Sequence, residues 1–321
     1  MNTLTRAAAD RTSEKVKKIV EARGTSGGHL PRTITLLAVA IIVAMLAVIL
    51  GNVILGGYHI ISWDFLSSPP ENGMEEGGIF PAIFGTVALV LLMTIAVVPV
   101  GVMTALYLHE YTRPDSKMTR VIRMAINNLA GVPSIVFGLF GLGFFIGFVG
   151  HNMDNMFFSD QGPVWGQPAI IWASLTLAIL TLPVVIIATE EALRSIPREL
   201  REASLALGAT RLQTIRRVVL PQALPGILTG AILAVSRGAG EVAPIMFTGA
   251  AYYLPYLPEK LNDQFMELGY HIYVMATQSP DVEKTKPILY GTVLVLLVLT
   301  FLLNFTAILL RSRMRSRRVN V

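Results

Sequence analysis

Residues 190–225 read EEALRSIPRELREASLALGATRLQTIRRVVLPQALP, a polar and strongly basic stretch in an otherwise apolar chain. The stretch predicts two short helices joined by a tight turn. Ser195 is placed to cap the first helix, because a serine hydroxyl accepts from a free N–H of the first turn. Gly208 ends that helix, since glycine adopts the left-handed C-terminal conformation at little cost. Thr210 and Gln213 have the spacing of a capping box that begins the second helix.

Long apolar runs flank this stretch on both sides and predict a membrane protein. The chain has 321 residues, of which 53% are hydrophobic and only 15% are charged, whereas soluble domains carry about 25% charged residues. A spanning helix needs about 20 mostly apolar residues, and six runs are long enough. We therefore predict an all-α fold with six transmembrane helices, at residues 33–56, 79–108, 121–149, 169–188, 225–250 and 288–310.

Basic residues predict the orientation of these spans. The tails at 1–32 and 311–321 and the second and fourth loops are rich in Lys and Arg, whereas the loops at 57–78 and 150–167 contain neither. By the positive-inside rule, both tails and the two basic loops are expected in the cytoplasm. A long polar segment precedes the first apolar run, so we do not expect a cleavable signal peptide.

On physical grounds the basic stretch at 190–225 has two interpretations. It is either an amphipathic loop that lies on the lipid headgroups or an exposed knob on which a cytoplasmic partner docks. The chain lacks the GxxxxGK[ST] phosphate loop, so any ATP hydrolysis has to come from another subunit. It has no cysteine, and its five scattered histidines do not have metal-ligand spacing. Neither a disulfide nor a metal site is expected.

The order Glu202–Ala203, Gly208, then Leu-Pro at 220–221 matches the EAA motif. On this motif the chain resembles the permeases of binding-protein-dependent ABC importers. The resemblance implies a type I ABC importer permease fold, in which residues 190–221 form the coupling loop. It also implies that Glu202, Ala203 and Gly208 contact the ATP-hydrolysing subunit.

The fifth predicted span contains two charges, Arg237 and Glu241. Residues four apart share one face of a helix. A charge at a span centre costs about 2.5–3.5 kcal/mol, so each of the two needs a partner or a polar cavity. A guanidinium suits bidentate binding of a tetrahedral oxyanion. The pair is either a substrate-pathway site for an oxyanion or a structural ion pair that fixes helix packing.

Residues 128–141, together with Arg237, Glu241 and the segments 243–244 and 247–248, are similar to the phosphate-specific branch of these permeases, and more to its PstA-type subunits than to its PstC-type subunits. The resemblance covers a transmembrane core at 79–310 and leaves out the first span and the tails. It implies that Arg237 and Glu241 lie on the pathway of inorganic phosphate, which the permease moves by alternating access.

The resemblance also implies the setting in which the chain works. The expected partners are a dimer of PstB-like ATP-binding subunits, a second, PstC-like permease subunit, a PstS-like extracytoplasmic phosphate-binding protein, and membrane lipid, with no nucleic acid. The chain is then not an enzyme and has no cofactor of its own, because ATP and Mg belong to the partner ATPase. The expected location is the bacterial cytoplasmic membrane.

Two other functions remain open from the sequence. The same machine can carry another substrate, such as sulfate, molybdate or an organic solute. A self-contained channel or proton-coupled carrier belongs to a different class and needs no ATPase. The long external loop at 251–287 either contacts the substrate-binding protein or forms a solvated lid.

Overall fold

The computed structural model describes residues 29–113, 115–159 and 162–316. Most of the predicted N-terminal tail, and residues 317–321 of the predicted C-terminal tail, lie outside these ranges. The chain divides into two units, residues 1–55 and residues 56–321. In the first unit, the side chains of residues 32–49 are exposed, as expected for an apolar helix that faces lipid.

The described residues are mostly helical. A small antiparallel hairpin pairs Pro70 with Gly77 and Glu71 with Glu76. Its strands are β1 (Pro70–Glu71) and β2 (Glu76–Gly77). The α-helices in chain order are α1 (His29–Gly57), α2 (Trp63–Ser67), α3 (Phe80–Leu106), α4 (Lys117–Leu129), α5 (Ser134–Phe140), α6 (His151–Phe157), α7 (Ile170–Arg194), α8 (Arg198–Ala206), α9 (Arg211–Thr214), α10 (Leu220–Gly238), α11 (Ile245–Thr248), α12 (Leu268–Gln278) and α13 (Val282–Ser316).

Wider π-helical segments extend three of these helices without a break. They are Tyr107–Tyr111 after α3, Gly141–Gly150 between α5 and α6, and Ile215–Val219 between α9 and α10. Across the described ranges, six continuous helices are long and apolar enough to cross a membrane, at 31–60, 80–111, 134–157, 170–194, 211–238 and 282–313. The predicted all-α, six-span fold is confirmed.

The third span begins at Ser134 and not near residue 121, so its predicted start was wrong. The preceding residues form the separate helix α4, which carries Lys117, Arg120 and Arg123. Three charges at every third position are too costly to place in hydrocarbon. A turn that ends at Pro133 then separates α4 from the span, because proline disfavours the helical conformation of the residue before it.

The end of the fifth span was also misplaced. The continuous helix that contains this span runs from Arg211 to Gly238, so the span ends at Gly238 and not at 250. The coupling loop continues directly into it through Ile215–Val219, and the helix ends at Gly238. Hydropathy does not detect this end, since most residues beyond Glu241 are again apolar.

Helix α7 packs extensively against both α3 and α10 within the second unit. A small-residue seam permits the close approach to α10. A Cβ atom added to Gly230 would lie 2.8 Å from the Cβ of Ala188, and one added to Gly226 would collide with Ala192.

The loop 251–267 folds onto the start of α3 and forms a second apolar cluster there. Its buried members are Phe65, Ile79, Ala82, Met266, Leu268, Met275 and Ile288. The predicted external loop is therefore an ordered structure, which includes helix α12.

Candidate functional site

The predicted coupling loop consists of helices α8 and α9 and the turn between them. Gly208 has a φ of 83°, so the predicted left-handed turn is confirmed. The capping box is also confirmed: the Gln213 N–H donates to Thr210 Oγ1, and the Thr210 N–H donates to Gln213 Oε1. The prediction for Ser195 was wrong, because its hydroxyl donates to Ala192 O at the end of α7.

The tip of this loop is exposed and apolar. Helix α8 contains no buried residue. Leu207 is 89% exposed and Leu212 is 66% exposed, while Glu202 and Ala203 are exposed beside them. A surface of this kind, held by a rigid turn, suits docking to another protein.

Two arginines tie the loop and α4 to the ends of the neighbouring spans. Arg201 of α8 contacts Glu110 at the end of the extended α3, with an Nη2–Oε1 distance of 2.9 Å. Arg123 of α4 contacts Glu190 of α7 at 3.2 Å, and Glu190 also contacts Arg194 at 3.3 Å. Sequence reasoning missed both cross-links, because their partners are far apart in the chain.

The structure brings Arg237 and Glu241 together, with 3.4 Å between Arg237 Nε and Glu241 Oε1. The predicted helical face was wrong, however. Helix α10 ends at Gly238, and Glu241 lies in the irregular segment 239–244 that follows. The ion pair therefore bridges the end of a broken helix.

The pair is open to the surface of the single chain. The side chains are 38% exposed for Arg237 and 22% exposed for Glu241, and nothing lies within 4 Å of a Cβ added to Gly240. The backbone N–H groups of Gly240 and Glu241 each donate to a carbonyl of the same turn at 3.4 Å.

A polar residue of the last span lies next to this site. Asn304 of α13 is hydrogen-bonded to the Ser236 hydroxyl, one residue before Arg237. This contact had one signal in the sequence, an asparagine within a long apolar run, because an intramembrane amide needs a hydrogen-bond partner. No group of His, Asp and Glu side chains in the described ranges is arranged to hold a metal ion.

Residues 97–316 match the family described as "Binding-protein-dependent transport system inner membrane component". The probable ABC transporter permease protein YqgI of Bacillus subtilis is 37% identical over 212 residues, which are 66% of this chain and 67% of that protein. The phosphate transport system permease protein PstA 1 of Mycobacterium tuberculosis is 34% identical over 242 residues, 75% of this chain and 73% of its own length.

The fold of this chain also resembles that of a solved structure. A bacterial ABC transporter involved in the import of the acidic polysaccharide alginate aligns with a TM-score of 0.61 at 17% identity, over 93% of this chain and 99% of that chain. At this identity the likeness concerns the arrangement of the helices alone. The family match covers the coupling loop, Arg237 and Glu241.

Proposed function

Because the chain belongs to the binding-protein-dependent transport system inner membrane component family, we propose that it is a permease subunit of an ATP-driven importer of inorganic phosphate. The chain is a multi-pass membrane protein, and its family consists of permeases and not of enzymes. The resemblance to PstA-type permeases is confirmed by relatives that carry that name. The names of these relatives support phosphate as the cargo.

The observation that carries the proposal is the Arg237–Glu241 pair at the end of a broken spanning helix. Non-helical backbone at membrane depth is tolerated where it lines a cavity or is covered by protein. Arg237 supplies a fixed positive charge and a planar fork for the phosphate oxygens. Glu241 holds the guanidinium when the site is empty, and limits how tightly an anion binds, since a passage site has to release its ligand.

Glu241 also suits phosphate better than a fully ionised oxyanion. At neutral pH phosphate retains at least one O–H group, which donates a hydrogen bond to a carboxylate. Sulfate has no such donor, so it places its negative oxygens against the negative carboxylate. The pair therefore favours a protonated oxyanion.

The coupling loop supplies the link to ATP. Two PstB-like subunits bind ATP and Mg in the cytoplasm, and Glu202, Ala203 and Gly208 lie in the surface on which one of them docks. A second, PstC-like permease covers the exposed face that carries Arg237 and completes the pathway. A PstS-like protein delivers phosphate from outside. Both tails and the coupling loop lie in the cytoplasm, as the basic residues indicate.

The test is uptake of labelled phosphate by membrane vesicles that contain the whole transporter. Arg237→Gln removes the charge-assisted hydrogen bonds, which are worth about 1.5–3 kcal/mol, so uptake is expected to fall roughly ten- to hundredfold. Arg120 of α4 is exposed and provides the control, and Arg120→Gln is expected to match the wild type. Undiminished uptake by Arg237→Gln would show that phosphate does not pass through this site.

Two further measurements separate the alternatives. Uptake is expected to require ATP and the ATPase subunit, and transport without them would identify a channel or secondary carrier. Glu241→Gln is expected to narrow the preference for phosphate over sulfate, because a neutral amide no longer repels sulfate. An unchanged preference would show that the acid does not contact the cargo.

A further inference from the structure

Helix α8, which carries the coupling motif, has few means of transmitting a force to the membrane helices by packing. None of its residues is buried. The apolar cluster beneath it contains Leu193, Ile196 and Val219, which lie on either side of α8 in sequence but not in it. A hydroxyl pair, Ser204 with Thr214, connects α8 to α9 within the same loop. Helix α9 continues into the fifth span, so this pair connects α8 to that span alone. A side-chain link from α8 to α3 or α7 has to come from another polar residue.

Arg201 provides this link. Its Nε and Nη2 donate to Glu110 Oε1 at 3.1 and 2.9 Å, at the end of the extended α3. Its Nη1 donates to Ile196 O at 2.8 Å, and its Nη2 also donates to Leu193 O at 2.9 Å. One guanidinium therefore joins α8 to the final turns of two spans.

The electrostatics make this contact stiff. Glu110 lies in the last turn of its helix, where the free carbonyls are already negative and a carboxylate is unfavourable. Arg201 neutralises the carboxylate. It also donates to the carbonyls of Leu193, in the last turn of α7, and of Ile196, two residues beyond that helix. The side chains are 16% exposed for Arg201 and 10% exposed for Glu110, so water and salt screen the pair only weakly.

We propose that the Arg201–Glu110 ion pair is the strut through which displacement of the coupling helix reaches α3. The proposal rests on the proposed function as an ATP-driven permease. Helix α3 in turn packs against the helix that carries the pathway charge, because a Cβ added to Gly238 would collide with Met93 of α3. Arg201 and Glu110 are positioning residues and do not touch the cargo.

The experiment measures phosphate taken up per ATP hydrolysed by the complete transporter in proteoliposomes. Glu110→Gln and Arg201→Gln are each expected to leave ATPase binding and ATP hydrolysis in place and to lower the uptake per ATP about tenfold. The double variant is expected to be no worse than either single variant, since both remove the same contact. Glu191→Gln is the matched control, because Glu191 is exposed at the end of α7 and forms no ion pair with the described residues.

Several results would contradict the proposal that this ion pair is a strut. One such result is wild-type uptake per ATP in both single variants. Another is a double variant whose uptake per ATP falls by the product of the two single losses. If both variants fail to assemble with the ATPase while Glu191→Gln assembles, the pair serves folding and not transmission. These results differ from failure of the proposed function, in which the wild-type complex itself takes up no phosphate with ATP.

A cross-link gives an independent test, because the chain has no native cysteine. Glu110→Cys and Arg201→Cys are combined, in complexes whose other subunits lack reactive cysteines. Before treatment, uptake per ATP is expected to be low. A short thiol-reactive bridge between the two positions is expected to restore it, since a strut keeps its length through the cycle. Absence of recovery after complete cross-linking would mean that α8 and α3 have to separate during transport, which contradicts the proposal.

Discussion

Gly208 is the position in the coupling loop whose replacement has the most direct physical consequence. Its φ of 83° lies in the left-handed region, and nothing lies within 4 Å of an added Cβ atom. A substitution there meets no steric obstacle within the chain, so backbone strain accounts for the cost to the turn itself. That strain is about 1–2 kcal/mol for an L residue such as Ala, and smaller for Asn, which adopts this conformation more readily.

The strain predicts a graded loss of docking. An ATPase that binds only the native turn is expected to bind Gly208→Ala roughly five- to thirtyfold more weakly, because about 1.4 kcal/mol corresponds to a factor of ten. The affinity of Gly208→Asn for the ATPase is expected to lie between those of Gly208→Ala and the wild type. Gly208→Val is expected to bind more weakly than Gly208→Ala. Binding of the labelled ATPase subunit to permease in lipid nanodiscs measures the series.

Gly143 is the matched control for this series. It also has nothing within 4 Å of an added Cβ, but its φ is not positive, so Gly143→Ala is expected to bind the ATPase like the wild type. Equal binding by Gly208→Ala and the wild type, or weaker binding by Asn than by Ala, would refute the claim that the left-handed turn forms the docking surface.

Three predictions concern the stability of the permease. Asp154 accepts three backbone N–H groups at 2.7–3.0 Å, so Asp154→Asn is expected to lower the free energy of unfolding by about 2–3 kcal/mol in a denaturation assay; no change would show that water replaces these bonds. Burial raises the pKa of Glu267 to about 7 from an ordinary value of 4.5; its folded state therefore holds the proton more tightly, and stability is expected to fall as pH rises from about 4.5 to about 7. Glu267→Gln is expected to flatten this pH dependence in thermal unfolding scans, whereas Glu259→Gln, at an exposed position, is expected to keep it. An unaltered slope of stability against pH in Glu267→Gln would contradict the assignment of the dependence to Glu267. Gly230→Val is expected to cost about 1–3 kcal/mol through overpacking against α7, while Gly143→Val is expected to be neutral, and equal thermal stability of the two would argue against the tight seam.

Local chemistry explains why the coupling loop was predicted so well. The turn at Gly208 and the capping box of Thr210 and Gln213 depend on residues within a few positions of each other. A short piece of sequence is therefore enough to predict both conformations. Ser195 was the exception, since the adjacent end of α7 offered its hydroxyl a carbonyl acceptor.

The candidate site was predicted less completely. The sequence identified Arg237 and Glu241 as a pair because intramembrane charges need partners. It assigned them to one helical face, whereas the helix ends between them at Gly238. Asn304 was not assigned to the site, because its neighbour Ser236 lies 68 residues away in the chain.

The sequence by itself determined the number of spans and the presence of a structured loop between the fourth and fifth. Both follow from the high cost of charge in hydrocarbon and from short-range capping. Tertiary structure alone decided that Arg201 contacts Glu110, 91 residues away, and that Arg123 contacts Glu190. Such contacts depend on how each helix is rotated and packed against its neighbours. Hydropathy does not record that rotation, because an apolar helix is equally apolar on every face.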